Sequence, residues 1–392
     1  MTEFTPLLNS NITAMAPDKL LGFQEKVRDI PDLVRLTLGE PGFDVDERIK
    51  KAAINAVEQN RSHYSESQGE RVLREAAVTY FNNTYHLNYT DERNVIVTSG
   101  VSEAINVVFN TLLNAGDGIL IPEPAYGPYF SSIKLARGER ITIDTATNNF
   151  KLTPQMIIEA VKNATVPVRA ILMNYPTNPT GVTYSREELE ALITVFKQEN
   201  LWVISDEIYS VLTYNQEHVS LAELLPEQTI YINGLSKSHA MTGYRIGFIL
   251  AQADVIQQMQ KVHGALVFAV PTVIQDAALV ALRDVQDTPL AMRDIYQHRR
   301  DFIVAQLEAL DFDVVNPEGA FYVFAKLPAD LGEDGDAFAL KLANEGKVAV
   351  IPGSGFSDSA KAYIRISYAA SDDVLKEGMA RLKKYVDKLR ER

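Results

Sequence analysis

From about residue 42 to about residue 275, short unbroken apolar runs alternate with longer stretches whose apolar side chains recur at helical spacing. The runs include Val95–Thr98, Gly118–Ile121, Ala170–Met173, Trp202–Ser205, Thr229–Ile232 and Ile246–Leu250. A strand that is apolar on both faces must be covered on both faces, so this pattern predicts a mostly parallel sheet between helical layers. The pattern then changes. A long helical region runs through Leu310, followed by strand-like Phe321–Phe324 and Tyr363–Ser367 and a charged closing helix, Asp372–Arg390. At the other end, Pro17-Asp18 opens a short helix ending at Val27. Strand-like Leu33–Leu38 follows and stops at Gly39-Glu40-Pro41-Gly42. The fold class is α/β. We expect an arm and part of a small domain in residues 1–40, a large domain in 41–280, and a small α+β domain in 281–392.

A chain of 392 residues is too long for one compact core, which supports two domains. The formal charge of −13 makes nucleic acid and anionic membrane poor partners, and any anionic ligand must be held by local cations. Cysteine is absent, which removes disulfides, thiolate metal sites and a cysteine nucleophile, and fits a reducing cytoplasm. Met1–Ser10 shows no basic stretch leading into an apolar core, no apolar run reaches spanning length, and the histidines have no metal-ligand spacing. We therefore expect no signal peptide, no membrane span and no metal.

The candidate chemistry lies at strand ends, where open α/β sheets collect their ligands. Lys237 sits in Asn233-Gly234-Leu235-Ser236-Lys237-Ser238, read as a short loop between two buried strands, with Arg245 shortly after. Poor solvation near an apolar core lowers a lysine's pKa and makes its amine nucleophilic, while an arginine fork holds phosphate. The pairing suggests a Schiff base to pyridoxal 5'-phosphate, although Ser-Lys-Ser also suits an exposed turn. Strand Val95–Thr98 runs into Ser99-Gly100-Val101-Ser102, where the free amides of a helix start bind phosphate or serve as an ordinary N-cap. Asp206, after strand Trp202–Ser205, needs a partner for its charge. A protonated pyridine nitrogen or the cap of the next helix would each serve, and Tyr209 lies within reach of the same ligand. Asn178, in the stiff loop Asn174–Gly181, can donate to a ring oxygen. Tyr126, in Glu123–Tyr129, can stack on a flat ring or simply pack. Arg365 stands in a half-buried strand pattern, where a guanidinium recognises a carboxylate or faces solvent at an edge. Ile351–Gly355 reads as a turn rather than a phosphate loop.

Taken together, Asn178-Pro179-Thr180-Gly181, Asp206-Glu207-Ile208-Tyr209, Ser236-Lys237 with Arg245, and Arg365 resemble the class I/II, fold type I, pyridoxal phosphate-dependent aminotransferases over nearly the whole chain. The wording around Lys237 is most similar to the bacterial aromatic and acetyl-diaminopimelate branch. The resemblance implies a seven-stranded-type sheet in the large domain and roles by position. Lys237 would carry the cofactor as a Schiff base and then shuttle a proton. Asp206 would pair with the pyridine nitrogen, Asn178 and Tyr209 would bond the phenolic oxygen, and Tyr126 would stack on the ring. Gly100, the Val101 and Ser102 amides, Ser236 and Arg245 would hold the phosphate. Arg365, Asn178 and the Gly39 backbone would take the substrate α-carboxylate. Tyr64 would reach the phosphate of a partner subunit, which implies a homodimer. One departure is Gly234, where many relatives carry a hydroxyl residue three before the lysine.

The implied activity is amino transfer from an L-amino acid to 2-oxoglutarate in two half-reactions. Tyr64, Phe23 and Tyr322 either line an apolar pocket for an aromatic side chain or belong to the core. Acetyl-diaminopimelate, aspartate and alanine remain alternative donors. A carbon–sulfur β-lyase on the same scaffold shares every cofactor contact. A cofactor-binding transcriptional regulator lacks support, because the arm is too short for a DNA-binding module and the charge has the wrong sign. A purely structural protein leaves the strand-end residues unexplained.

Overall fold

The computed structural model describes residues 7–391; Met1–Pro6 of the region read for a leader lie outside the described residues. Thirteen strands occur in chain order among the described residues. β1 (Val34–Arg35) precedes the large sheet, which comprises β2 (Val95–Thr98), β3 (Gly118–Glu123), β4 (Glu139–Asp144), β5 (Val168–Asn174), β6 (Trp202–Asp206), β7 (Thr229–Gly234) and β8 (Gly247–Leu250). The last five are β9 (Asp313–Val314), β10 (Tyr322–Lys326), β11 (Val348–Ala349), β12 (Ile351–Pro352) and β13 (Tyr363–Ser367).

The large sheet has seven strands in the order β2-β8-β7-β6-β5-β3-β4, and β8 alone runs against its neighbours. Its side chains alternate between its two faces, as the period of a strand requires. Ile96, Ile119, Ile121, Leu172, Ile204 and Ile232 pack with helices Gly100–Leu112 and Ala253–Leu266 on one face. Leu120, Ile171, Met173 and Val203 pack with helices Pro154–Asn163 and Arg186–Gln198 on the other. Each fully buried side chain of this kind contributes about 2 kcal/mol, which fixes the strand register and with it the positions of the strand ends. The register sets Asn174 beside Asp206 and Asp206 beside Ile232 at one edge.

β12, β13, β10 and β9 form a smaller antiparallel sheet. β1 pairs in parallel with β11, and Leu36 extends the connection by donating to Ala349 O at 2.9 Å and accepting from Ser367 N at 2.9 Å. The strand-like run Leu33–Leu38 is thus extended and hydrogen-bonded, although only two of its residues form a ladder. The N-terminal helix is Lys19–Val27, and its Asp18 cap accepts from Leu20 N and Leu21 N at 2.8 and 3.0 Å.

Several local expectations need correction. The long helical region is two helices, Thr272–Asp284 and Asp287–Glu308, interrupted at Val285-Gln286. β4 escapes the apolar-run reading because it is an edge strand with mostly exposed side chains. Lys237 does not lie on an irregular loop: Leu235–Ser238 closes one helical turn, with His239 N donating to Leu235 O at 3.1 Å. Among the described residues no helix is long and apolar enough to cross a membrane.

Candidate functional site

The carboxyl ends of β2, β5, β6 and β7 open into a cleft of about 640 Å³, roofed by the N-terminal helix, the Thr37–Glu40 segment and the small sheet. Lys237, Asp206, Tyr209, Asn178, Tyr126, Val101, Ser102, Ser236, Arg245, Gly39 and Arg365 all line it. Residues spread across more than three hundred sequence positions thus converge on one space.

Lys237 projects from its helical turn and donates through Nζ to the Gly39 carbonyl. Burial is the main cause that pushes its pKa down to about 8. Arg245 and Arg365 push the same way, while Glu40 and Asp206 oppose them. Asp206 is 2% exposed. Its Oδ2 accepts from Tyr129 Oη at 2.6 Å and its Oδ1 from Ile208 N at 3.2 Å. Burial nevertheless pushes its pKa up to about 6, since two neutral donors do not replace lost hydration. A cation brought against Asp206 would lower that value again. The neighbouring Glu207 points into the core, where Ser205 Oγ, Ser220 Oγ and Tyr175 Oη donate to Oε1 at 2.7, 2.8 and 3.1 Å and fix the strand end.

Asn178 accepts from Arg365 Nη1 through Oδ1 at 2.8 Å, and Asn174 ties the loop down by accepting from Asn178 N and donating to Asp206 O. Tyr209 and Tyr322 share a hydroxyl contact of 2.9 Å. Arg365 is 4% exposed, which excludes the solvent-facing edge reading. Its Nη2 donates to Thr37 O at 3.0 Å, and its guanidinium lies over the rings of Tyr322 and Phe356 at 4.3 and 4.9 Å. Its Nε is buried with no partner. Tyr126 stands edge-on to Tyr129 with centroids 5.4 Å apart.

The strand–helix junction at β2 has the shape of an anion cradle. Gly100 adopts φ +75°, and a Cβ there would lie 2.7 Å from Arg245 Nη2. The absent side chain is what lets the guanidinium approach the helix start. Arg245 spends Nη1 on Thr242 O at 3.0 Å and keeps the rest of its fork exposed. The departure at Gly234 also has a steric reason: a Cβ there would lie 2.8 Å from Ile246 O. A hydroxyl residue at that position requires the backbone of Arg245–Gly247 to retreat.

Two expectations about aromatic residues fare differently. Tyr322 lines the cleft, whereas Phe23 is 7% exposed and belongs to the core around the small sheet. Tyr64 is outside this cleft; it is 87% exposed and touches Phe268 edge-on at 5.0 Å. Sequence reasoning missed Tyr129, the hydroxyl that holds Asp206, and Asn174, the residue that holds the Asn178 loop. Both stand inside quoted motifs, but only three-dimensional register shows that both meet Asp206, Tyr129 at its carboxylate and Asn174 at its backbone carbonyl. It also missed Leu20, Leu21 and Leu38, which make the cleft mouth apolar.

A family model described as Aminotransferase class I and II matches residues 31–382. The chain is 39% identical over 385 residues to a protein of Bacillus subtilis (strain 168) described as a probable N-acetyl-LL-diaminopimelate aminotransferase, covering 98% of this chain and 97% of that one. It is 32% identical over 383 residues to aromatic-amino-acid aminotransferase 2 of Thermococcus litoralis, covering 96% and 97%. The structure of aspartate aminotransferase from Thermus thermophilus with maleate matches with a TM-score of 0.91 at 33% identity, over 97% of this chain and 100% of that chain.

Proposed function

Because this chain belongs to the class I and II aminotransferases, and is a pyridoxal phosphate-dependent transaminase of fold type I, we propose that it moves the amino group of an aromatic L-amino acid to 2-oxoglutarate. The residues present fit the cofactor. Asp206 is a buried carboxylate short of a cationic partner, Gly100 leaves room in an anion cradle, and Arg245 has unused donors. Asp206 would hold a proton on the ring nitrogen. Tyr209 and Asn178 would bond the phenolic oxygen, Tyr126 would cover the ring, and Gly100–Ser102, Ser236 and Arg245 would hold the phosphate. When bound, the cofactor supplies an aldehyde for amines and a cationic ring that withdraws electrons from the substrate α-carbon.

In this reading Arg365, the Asn178 side chain and the Gly39 N–H orient the substrate α-carboxylate. Lys237 Nζ would hold the cofactor through its amine and, once free of it, would take the α-proton as general base. Only the neutral amine does either task. Capture of pyridoxal phosphate by the apo protein is therefore expected to accelerate as pH rises through about 8. Stopped-flow absorbance would measure it, and a profile that climbs on to the ordinary lysine range near ~10.4 contradicts the role. We further place Tyr64, exposed on this chain, at the phosphate of a second copy in a cytoplasmic homodimer.

The observation that carries the choice of donor is the composition of the cleft wall. The cations among the described lining residues within reach of the ring are Lys237, Arg245 and Arg365, and each already has a task in this scheme. No further cation is available to a side-chain carboxylate, and Glu40 is present to repel one. Leu20, Leu21, Leu38 and Tyr322 favour an apolar side chain instead. The distal carboxylate of 2-oxoglutarate would extend toward Gln24 and Ser102, which are exposed at the edge of the cleft. A panel of tyrosine, phenylalanine, aspartate, alanine and N-acetyl-LL-diaminopimelate with 2-oxoglutarate tests this. Aromatic donors should have kcat/KM at least about tenfold above the rest, the discrimination expected when a carboxylate enters an apolar site without a partner. The aromatic assignment fails if aspartate or N-acetyl-LL-diaminopimelate leads. Release of pyruvate and ammonia from cystathionine as the main reaction would move the enzyme to the β-lyases.

A further inference from the structure

Behind the cradle, on the side away from the cleft, lies an ion pair that none of the roles above uses. Glu103, in the first turn of helix Gly100–Leu112, folds back so that Oε2 accepts from Ser99 N at 2.5 Å. Its Oε1 lies 2.6 Å from His263 Nδ1, and His263 Nε2 lies 2.6 Å from Ser67 O. The side chain of His263 is 0% exposed and that of Glu103 is 8% exposed. The chain of contacts runs from the cradle amides to helix Ala253–Leu266 and on to the segment that carries Tyr64.

The protons in this chain can be counted from geometry. A carbonyl oxygen only accepts, so Nε2 carries a hydrogen for Ser67. A second hydrogen must lie between Nδ1 and Oε1, on either atom, or two lone pairs would face each other at 2.6 Å. The pair therefore carries no net charge. Burial alone would lower the imidazole's pKa, but the Glu103 carboxylate and the Ser67 carbonyl raise it above its ordinary value. This arrangement answers a problem set by the cradle. The Ser99 amide needs an acceptor, and a carboxylate at a helix start supplies a good one. An unbalanced carboxylate one turn from a phosphate site, in a protein of charge −13, would also repel that phosphate.

We propose that His263 is a positioning residue for the cofactor phosphate: it cancels the charge of the carboxylate that caps the cradle and braces that carboxylate against Ser67. The proposal rests on reading Gly100–Ser102 and Arg245 as the phosphate site. It predicts a defect that depends on the phosphate and not on the ring.

The test is equilibrium binding to the apo protein by absorbance, with pyridoxal phosphate and phosphate-free pyridoxal as the two probes. Glutamine at position 263 brings no charge, and its single amide nitrogen cannot stand where both ring nitrogens do. H263Q should weaken pyridoxal phosphate about tenfold, the loss expected for one charge-assisted contact, and leave pyridoxal within about twofold. E103Q restores neutrality differently, since its amide accepts from Ser99 N and donates to a neutral Nδ1. It should stay within about twofold of the parent for both probes, and the double variant H263Q/E103Q should recover most of the loss. Equal weakening of both probes by H263Q, no weakening, or failure of the double variant to recover overturns the proposal. Should H263Q not fold, a tenfold loss in E103Q alone overturns it. R245A checks the cradle by itself: if R245A does not weaken the phosphate-bearing probe selectively, the cradle reading and the proposal fall together. If R245A does so and H263Q does not, only the role of His263 falls.

Discussion

Lys237→Ala is expected to abolish transamination, with a loss of at least about 10⁴-fold, the upper range for a single positioned general base, and more because the same amine is the covalent anchor. The argument starts from solvation. Lys237 lies between β7 and β8, its Nζ held by the Gly39 carbonyl and its pKa pushed down to about 8 by burial. The amine is thereby accessible in its neutral form near neutral pH, and among the described residues no other lysine lines the cleft between the strand ends. The phosphate cradle and Asp206 do not depend on Lys237 for their own contacts, so the alanine variant should still bind pyridoxal phosphate without a bond to it. Borohydride should then fix a pyridoxyl label on the parent protein at position 237 and none on the variant, read by mass spectrometry. Lys237→Arg provides the control for charge. It keeps a cation in place but stays protonated throughout the usable pH range, and it should be as inactive as the alanine variant. Ordinary turnover by either protein would remove Lys237 from the reaction.

Much of this site is legible in the sequence because strands buried on both faces announce themselves as unbroken apolar runs. Once Val95–Thr98, Ala170–Met173, Trp202–Ser205 and Thr229–Ile232 are recognised, the polar residues just beyond them fall at the carboxyl edge of the sheet. Asp206, Asn178 and Lys237 are found that way. Arg365 is legible for a different reason, a charge in the middle of an alternating strand. What the sequence hides is partnership across the fold. Nothing local to Tyr129 says that its hydroxyl meets Asp206 from a different strand end, 77 positions away. Nothing in Lys-Val-His-Gly says that His263 meets Glu103, 160 positions earlier. The helical turn at Leu235–Ser238 is hidden because four residues are too few to show a period. The strand Glu139–Asp144 is hidden because an edge strand keeps polar side chains. Gly234 reads as a missing hydroxyl in sequence, whereas in space it marks the close approach of β7 to Ile246.

Arg365→Leu is expected to raise KM for α-amino acids by at least about 30-fold and by as much as several thousand-fold, since removing one partner of a buried, hydrogen-bonded charge pair costs about 2–5 kcal/mol. The guanidinium is held from three directions: Asn178 Oδ1 on Nη1, Thr37 O on Nη2, and the rings of Tyr322 and Phe356 on its faces. Nε is buried and unpartnered, and Nη1 and Nη2 each carry a second N–H beyond the bonds just named. Arg365 lines the cleft, and a planar carboxylate is the acceptor whose geometry suits the unused N–H groups of a guanidinium edge. Leucine fills a similar volume but offers nothing to the carboxylate, and it leaves Thr37 O and Asn178 Oδ1 without their donor, so a lower melting temperature should accompany the kinetic loss. Stability and recognition are separated by the substrate rather than by the variant. Tyramine has the side chain and amine of tyrosine without the α-carboxylate, and its half-reaction, followed by cofactor absorbance, should change little. Arg365→Lys should behave almost as badly with tyrosine, because a single ammonium cannot reproduce the planar fork held between two rings. Equal losses for tyrosine and tyramine would mean that Arg365 supports the cleft without touching the carboxylate, and the α-carboxylate would have to be assigned to another cation in the cleft.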